Sequence, residues 1–393
     1  LVWVKNRDQS EKHVLVDSVR GVDKALYSSS ASAEDSGSTY SDRFVSFNSD
    51  GFNVGSTHTT TNSDGDDFAA WSWSAGPNSN KTYTVKVVSD SGNKYRFDDF
   101  GSSAVTLDLQ EGSTYIFDQS DSSNSGHPIR FGTSANGTDY TTGVTHTGTP
   151  GSAGAKTTLV LGTGVATLYY SCANHSGMGG QINTNSTAGA SNFDGSIQAV
   201  VKASDTHGFS IMRYLGNASA GATVGHGLSK APEWIIGKNR GGGDAWWVWF
   251  KAHSSNASKF LRLNLTNTES DTQYIANDTA PSSSVVTLGS DYGWNSNQSP
   301  GMIMYAWTSV SGYSKFGTYT GSSNLEITTG FKVQWLLLKS YAGDGFNWVI
   351  IDNARAANSS GVSRKLYPNL NGSEDSDSRA SETKVEFTDT GFK

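Results

Sequence analysis

One stretch of the sequence decides how the chain is interpreted: Tyr169-Tyr170-Ser171-Cys172-Ala173-Asn174-His175-Ser176-Gly177-Met178-Gly179-Gly180. It contains the only cysteine of the 393 residues, a histidine three positions later and a methionine three positions after that. A β-type run that begins at Val165 leads into it. A thiolate, an imidazole and a thioether on one short loop are the donors of trigonal copper sites with a long axial methionine. Such a site needs a second histidine, and Gly126-His127-Pro128-Ile129-Arg130-Phe131 offers one.

The segment from about residue 80 to residue 186 resembles a cupredoxin of the plastocyanin or amicyanin type. The resemblance rests on a histidine ahead of a strand, a strand that ends in Tyr-Tyr-x-Cys-x-x-His, and a short loop to methionine. It implies a Greek-key β-sandwich with copper ligands His127, Cys172 and His175 and the axial ligand Met178. Two alternatives stay open: the sandwich binds copper, or it keeps the loop without metal and Cys172 is a small buried residue.

The composition is typical of a β-rich, turn-rich, extracellular protein. Charged residues make up 17 %, and 44 glycines accompany 11 Trp, 16 Tyr and 17 Phe. The net charge is −7 and no run of Lys or Arg could follow a phosphate backbone, so we expect no nucleic-acid partner. No stretch of 18 apolar residues predicts a membrane span. Motifs of hydrolases, P-loop proteins and zinc peptidases are missing, which favours a protein that is not an enzyme.

Strand-like runs with period-2 alternation recur along the chain and predict an internal repeat. Trp3-Val4-Lys5-Asn6-Arg7 returns as Trp234-Ile235-Ile236-Gly237-Lys238-Asn239-Arg240 with a two-residue insertion, and again as Trp335-Leu336-Leu337-Leu338-Lys339. A partner strand follows each copy. Met304-Tyr305-Ala306-Trp307 matches Ala69-Ala70-Trp71. We therefore predict three copies of one antiparallel β unit.

The repeat and the polar joints between its copies predict the domain organisation. Residues 1–76 form a partial β-sandwich repeat, 80–186 the cupredoxin-like domain, 187–205 a linker, and 206–393 further β-sandwich repeats with a truncated last copy. The sequence is expected to open inside one module and to close inside another. This organisation predicts a string of modules with one inserted domain.

The aromatic strands of 1–76 and 205–393, together with Gly225-His226-Gly227-Leu228-Ser229-Lys230-Ala231-Pro232-Glu233-Trp234, resemble a lectin-like, jelly-roll-type repeat of fibre and appendage proteins from marine tailed phages. The resemblance implies a structural, adhesive protein in the virion or outside the cell. Copies of itself, in a homo-oligomer or fibre, and a host-surface glycan are the expected partners. A blue-copper electron-transfer protein is the alternative, and a polysaccharide-degrading tailspike is a weaker one because no acid pair is evident.

Two further sequence patterns, a run of tryptophans and several acidic clusters, lead to separate predictions. In Trp246-Trp247-Val248-Trp249, alternation places Trp246 on one face and the other two rings on the opposite face, which favours core packing over sugar stacking. The acidic clusters at 64–67, 98–99 and 374–377 lie in Ser- and Gly-rich segments. They are interpreted as solvated turns, with Ca²⁺ binding as the alternative.

Overall fold

The computed structural model of the protein describes residues 1–36, 43–56, 58–185, 188–253, 257–343, 345–355, 363–375 and 384–393. Within these ranges the chain is all-β, as predicted, and most strand pairs are antiparallel. Helical structure there is limited to the α-helix Tyr292–Asn295 and the 3-10 turns Ser122–Asn124 and Lys251–His253. No helix among these residues has the length and apolar character needed to cross a membrane.

The first β unit, residues 1–76, forms a five-stranded sheet in the order β4-β3-β2-β1-β7 with a β5-β6 hairpin beside it. Its strands are β1 (Val2–Asn6), β2 (Val14–Val16), β3 (Lys24–Tyr27), β4 (Asp35–Ser36), β5 (Phe44–Phe47), β6 (Phe52–Val54) and β7 (Phe68–Ser72). Strand β1 is buried on both faces, because Trp3 packs into one apolar cluster while Val2 and Val4 pack into another.

The inserted sandwich follows and consists of a five-stranded sheet, β13-β14-β11-β8-β9, and a four-stranded sheet, β10-β16-β15-β12. Its strands are β8 (Lys81–Ser89), β9 (Asn93–Phe97), β10 (Leu107–Gln110), β11 (Thr114–Asp118), β12 (Ile129–Gly132), β13 (Val144–Thr147), β14 (Lys156–Val160), β15 (Leu168–Cys172) and β16 (Gly180–Asn185). Alternate side chains, such as Tyr115 and Phe117 of β11, fill one core between the sheets. Two strand pairs, β8 with β11 and β10 with β16, are parallel.

The second β unit, residues 188–308, forms an eight-stranded sheet in the order β17-β18-β19-β26-β21-β22-β23-β24, and β20 pairs with β25. Its strands are β17 (Ala190–Asn192), β18 (Ala199–Ser204), β19 (Phe209–Tyr214), β20 (Thr223–Gly225), β21 (Trp234–Asn239), β22 (Trp247–Phe250), β23 (Lys259–Arg262), β24 (Ser270–Asp271), β25 (Val285–Thr287) and β26 (Met302–Trp307). The expectation for the tryptophans is confirmed: Trp247 and Trp249 pack in one cluster and Trp246 in the other, all three buried.

The third β unit, residues 309–393, has the shortest strands. They are β27 (Ile327–Thr328), β28 (Trp335–Leu338), β29 (Val349–Asp352), β30 (Phe387–Thr388) and β31 (Gly391–Phe392). Strands β28 and β29 form an antiparallel pair, and β27, β31 and β30 form a small second sheet.

The three copies align on a lysine, which is Lys5 in β1, Lys238 in β21 and Lys339 directly after β28. In each copy the lysine Nζ donates to the carbonyl of the following residue, in Lys5, Lys238 and Lys339 alike. Lys5 lies opposite Ala69 and Lys238 opposite Ile303, so the copies match without any insertion. The predicted two-residue insertion is therefore wrong, and Trp71 corresponds to Tyr305. A shift of two residues leaves every side chain on its face, so alternation alone cannot detect it.

The three units close into a ring through equivalent backbone hydrogen bonds. The N–H of Glu34 in the first unit donates to the carbonyl of Arg240 in the second at 2.9 Å. Glu269 of the second unit donates in the same way to Tyr341 of the third at 3.4 Å, and Glu374 of the third donates to Arg7 of the first at 2.7 Å. Side chains from all three units share one apolar core, which includes Trp3, Tyr305 and Ile350. The expected string of modules is thus wrong, because each sheet buries its apolar face against the other two.

Two further expectations fail for related reasons. Residues 187–205 are not a linker: β17 and β18 begin the eight-stranded sheet, and Ala199 and Val201 are buried in its core. Glu374 is not in a solvated turn, because its side chain is 8 % exposed and bonds to Arg7 and Arg355. Polar composition indicated surface in both places. Packing within the second unit buries Ala199 and Val201, and arginines of the first and third units enclose Glu374. Positions 376–377 of that acidic cluster lie outside the described residues.

Candidate metal centre

Two neighbouring strands of the inserted sandwich bring together residues that are 45 positions apart in the sequence. Strands β12 and β15 pair antiparallel with Ile129 opposite Cys172. Beyond this pair the N–H of Ala173 donates to the carbonyl of Pro128 at 2.9 Å, so the loop after β15 lies against the segment that precedes β12. The register therefore places His127 beside Cys172 at one end of the sandwich.

Three donor atoms converge at this end. Cys172 Sγ lies 3.8 Å from His127 Nδ1 and 3.6 Å from His175 Nδ1. The two imidazole centroids are 4.6 Å apart, and the donor atoms of the three residues lie within 4.8 Å of one another. The spacing leaves room for one ion bound by one sulfur and two nitrogens. Among the described residues this is the only such group of three histidine, cysteine or carboxylate side chains.

Hydrogen bonds fix the two loops that carry these donors. The side-chain amide of Asn174 donates to the carbonyl of Gly126 at 2.8 Å, which joins the cysteine loop to the first histidine. The carbonyl of His127 accepts from the Tyr95 hydroxyl and from the Gln119 amide, both at 2.9 Å. Because these bonds hold backbone atoms on both sides of the cluster, the donors are preorganised before any ion binds.

The fourth expected ligand, Met178, is 1 % exposed and belongs to the same apolar cluster as Cys172. Its carbonyl accepts from the N–H of Tyr95 at 2.9 Å, which fixes the C-terminal end of the ligand loop. The next residue must be glycine, because a Cβ on Gly179 would lie 1.7 Å from the carbonyl oxygen of Tyr170. The Gly-Met-Gly sequence therefore allows the loop to return against β15.

The three donor residues differ in burial, from the core of the sandwich to its surface. Cys172 is 2 % exposed and packs with apolar side chains, whereas His175 is exposed and His127 is half-buried. Desolvation, with a smaller contribution from the charge of His175, lowers the pKa of His127 below its usual value. Burial and the adjacent Cys172 raise the pKa of Tyr95, so its hydroxyl stays protonated and remains a donor. A neutral imidazole beside a buried thiol suits a soft or borderline cation.

The donor set fits the copper expected from the sequence. One thiolate and two imidazoles match the trigonal ligands of such a site, and the apolar side chains around the cysteine limit access of water. All four residues named from the sequence lie at the same end of the sandwich. Sequence reasoning missed Tyr95 and Asn174, the residues that support the loops, because no motif marks them.

One histidine outside the candidate metal centre, His226, lies in the protein core. His226 is fully buried, its Nδ1 accepts from the N–H of Leu228 at 3.2 Å, and its Nε2 lies 3.2 Å from the carbonyl of Ser282. Both ring nitrogens thus have backbone partners. His226 is therefore a core histidine.

Comparison with known proteins matches the chain to one protein family, described as a domain of unknown function (DUF7483), over residues 1–98 and 182–393. The matched ranges include all three β units and leave out 99–181, which carries all four candidate ligands. No curated protein and no solved structure matches the chain.

Proposed function

The chain belongs to the DUF7483 family, a domain of unknown function, and we propose from its own residues and fold that it is a structural, adhesive protein of a phage virion, a tail fibre or similar appendage, whose inserted sandwich binds copper. The proposal has two parts with different support. The phage assignment rests on the resemblance of the aromatic β repeats to appendage proteins. The copper assignment rests on the cluster of His127, Cys172 and His175.

The closed ring of three β units supports a structural role. Equivalent hydrogen bonds join the units in cyclic order around a single aromatic core. Such an arrangement gives a rigid body that can present loops and edges to partners. Copies of the same chain, in an oligomer or fibre, and host-surface glycans are the partners that we propose, at the virion or outside the cell.

The single observation that carries the copper assignment is the convergence of Cys172 Sγ with the Nδ1 atoms of His127 and His175. In this assignment His127, Cys172 and His175 would hold the ion, and Met178 would be the fourth donor. A bound copper ion would supply one-electron redox chemistry and would add its binding free energy to the stability of the loop. The protein holds the donors in place through Asn174 and keeps the sulfur away from water.

A second candidate function, electron transfer, is favoured by the exposure of His175. An electron can leave a metal centre most easily where a ligand reaches the surface, and His175 is exposed at the end of the sandwich. A structural role for copper needs no such exit. The two functions therefore differ in whether the bound ion exchanges electrons with a soluble partner.

The copper assignment is tested by titrating the full chain with Cu(II) and recording its visible spectrum beside Cys172→Ser. We expect an intense thiolate-to-copper charge-transfer band in the wild type and none in the variant. Saturating copper at about 100 times the dissociation constant should add about 2.7 kcal/mol to the free energy of unfolding. Rapid oxidation of the reduced protein by a soluble acceptor would favour electron transfer. If neither the band nor the stabilisation is seen, the copper assignment is wrong.

The structural assignment needs a separate test. We expect mass spectrometry to detect the protein in purified virions or appendages, and light scattering to show an oligomer of the full chain. A glycan array would then identify the surface sugar. Absence from purified particles and a monomer at all concentrations would contradict this part of the proposal and leave the copper assignment untouched.

A further inference from the structure

The pseudo-symmetry of the ring defines three equivalent positions, one beside each of the strands β1, β21 and β28, and a paired strand occupies two of them. In the first unit β7 pairs antiparallel with β1, and in the second β26 pairs antiparallel with β21. The strand of the third unit that corresponds to β1 and β21 is β28, which pairs with β29 on one side. Among the described residues no strand pairs with its other side.

Backbone hydrogen bonds identify which groups face the open edge. The N–H of Asn353 donates to the carbonyl of Gln334 at 3.1 Å, so Gln334 and Leu336 direct their backbone groups toward β29. Trp335 and Leu337 consequently present their N–H and C=O groups on the opposite side. In the first unit the N–H of Trp73 donates to the carbonyl of Leu1 at 2.9 Å, which puts the equivalent backbone groups toward β7.

Strand β28 is also less buried than β1 and β21. All residues of β1 are buried, and β21 is buried except at its first residue, whereas all four residues of β28 are only half-buried. The indole Nε1 of Trp335 is itself buried and has no hydrogen-bond partner among the described residues. Strand β28 thus has the apolar sequence of an interior strand, but it is partly exposed to solvent like an edge strand.

A groove of about 1020 Å³ runs beside this edge. Its walls are largely aromatic and aliphatic, and they include Trp73, Trp307, Phe316, Trp335 and Leu337. The volume lies at the upper end of the roughly 300–1,000 Å³ that small-molecule sites occupy. An unpaired strand edge inside an apolar groove is the arrangement that accepts an added strand.

We propose that this groove binds an extended segment of another polypeptide as an antiparallel strand on β28. The two occupied positions define the chemistry of the occupant. Strand β7 and its continuation place Trp71 and Trp73 toward the shared core, and β26 places Tyr305 and Trp307 there. The partner segment therefore carries two aromatic residues separated by one residue, with its backbone paired to Trp335 and Leu337. This inference is independent of copper binding.

The test uses a fluorescein-labelled peptide with the sequence of residues 66–76, which includes β7, and the full chain as receptor. We expect saturable binding by fluorescence anisotropy. A peptide of the same composition with the two tryptophans on adjacent positions should bind at least about tenfold more weakly, because one ring then faces solvent. Failure of the first peptide to bind, or equal binding of both peptides, would overturn the proposal.

Backbone methylation of the peptide tests the pairing without changing the receptor. In the first unit the N–H of Trp71 faces β1, and that of Ser72 faces away. N-methylation at the Trp71 position should weaken binding at least about tenfold, and N-methylation at the Ser72 position should change it less than about twofold. Equal effects would exclude strand pairing. A photo-crosslinker in the peptide should label residues 312–316 or 333–337, and labelling of residues 1–5 instead would refute the assigned location.

Discussion

The Glu34 carboxylate accepts two hydrogen bonds from the guanidinium group of Arg240, 206 residues away, at 2.9 and 2.7 Å. Arg20 of the first unit donates to the same carboxylate at 3.0 Å. Glu374 has the equivalent place between Arg355 of the third unit and Arg7 of the first. A glutamate between two arginines therefore occurs at two of the three contacts between units, and its buried charge depends on both neighbouring units.

Replacing Glu34 with glutamine should destabilise the ring strongly. The side chains of Glu34 and Arg240 are 4 % and 7 % exposed, so the variant leaves buried guanidinium charge without its counter-ion. Loss of one partner of a buried pair costs about 3–5 kcal/mol. We expect a decrease of about 3 kcal/mol in the free energy of unfolding, measured by urea denaturation.

The matched control is Asp99→Asn on the inserted sandwich. Asp99 bonds to Lys86 at 2.8 Å, but its side chain is 58 % exposed. Exposed pairs contribute less than about 1 kcal/mol, so this variant should unfold close to the wild type. Equal losses in the two variants would show that the Glu34 pair does not stabilise the contact between units.

The same carboxylates predict how stability depends on pH. Burial alone would raise the pKa of Glu34, but hydrogen bonds from Arg240 and the charges of both arginines hold it below the ordinary value of 4.5. The pKa of Asp17 and that of Glu374 are lowered by arginines in the same way, against the effect of burial. The unfolded chain then binds these protons at higher pH than the folded chain, so stability falls as the pH decreases below about 4.5.

We expect the urea midpoint to decrease between pH 5 and pH 3, and Glu34→Gln to show a smaller decrease because it lacks one of these groups. A midpoint independent of pH in this range would contradict the assignment.

Asn174→Ala tests the positioning of the proposed copper donors. The variant removes the 2.8 Å bond from the Asn174 amide to the carbonyl of Gly126 and leaves all four proposed ligands in place. Residues that orient metal ligands typically contribute about 10–100-fold in affinity. We expect about a tenfold weaker copper affinity with the charge-transfer band retained. Ser176→Ala, at another exposed position of the same loop, is the control and should bind copper like the wild type.

Sequence patterns were sufficient for local structure and insufficient for the arrangement of the units. The Cys-x-x-His-x-x-Met loop and the upstream histidine identified residues that the structure brings together, because strand pairing places Ile129 opposite Cys172. Alternation also separated Trp246 from Trp247 correctly. The ring was not predictable in this way: the Glu34–Arg240 pair depends on contacts between units, and local periodicity contains no information about such partners.

The tryptophans of the second unit allow a last prediction about what joins the units. Trp246 Nε1 donates to the carbonyl of Tyr27 in the first unit at 2.8 Å, whereas Trp249 Nε1 is buried without a partner among the described residues. Both rings are nearly inaccessible, so replacement by phenylalanine removes similar apolar contact in each case. Trp246→Phe additionally leaves a buried carbonyl without this donor, and Trp249→Phe removes an unsatisfied N–H. We expect Trp246→Phe to be more destabilising by about 1–3 kcal/mol in urea denaturation. The opposite order would mean that packing, rather than the hydrogen bond between units, dominates at this contact.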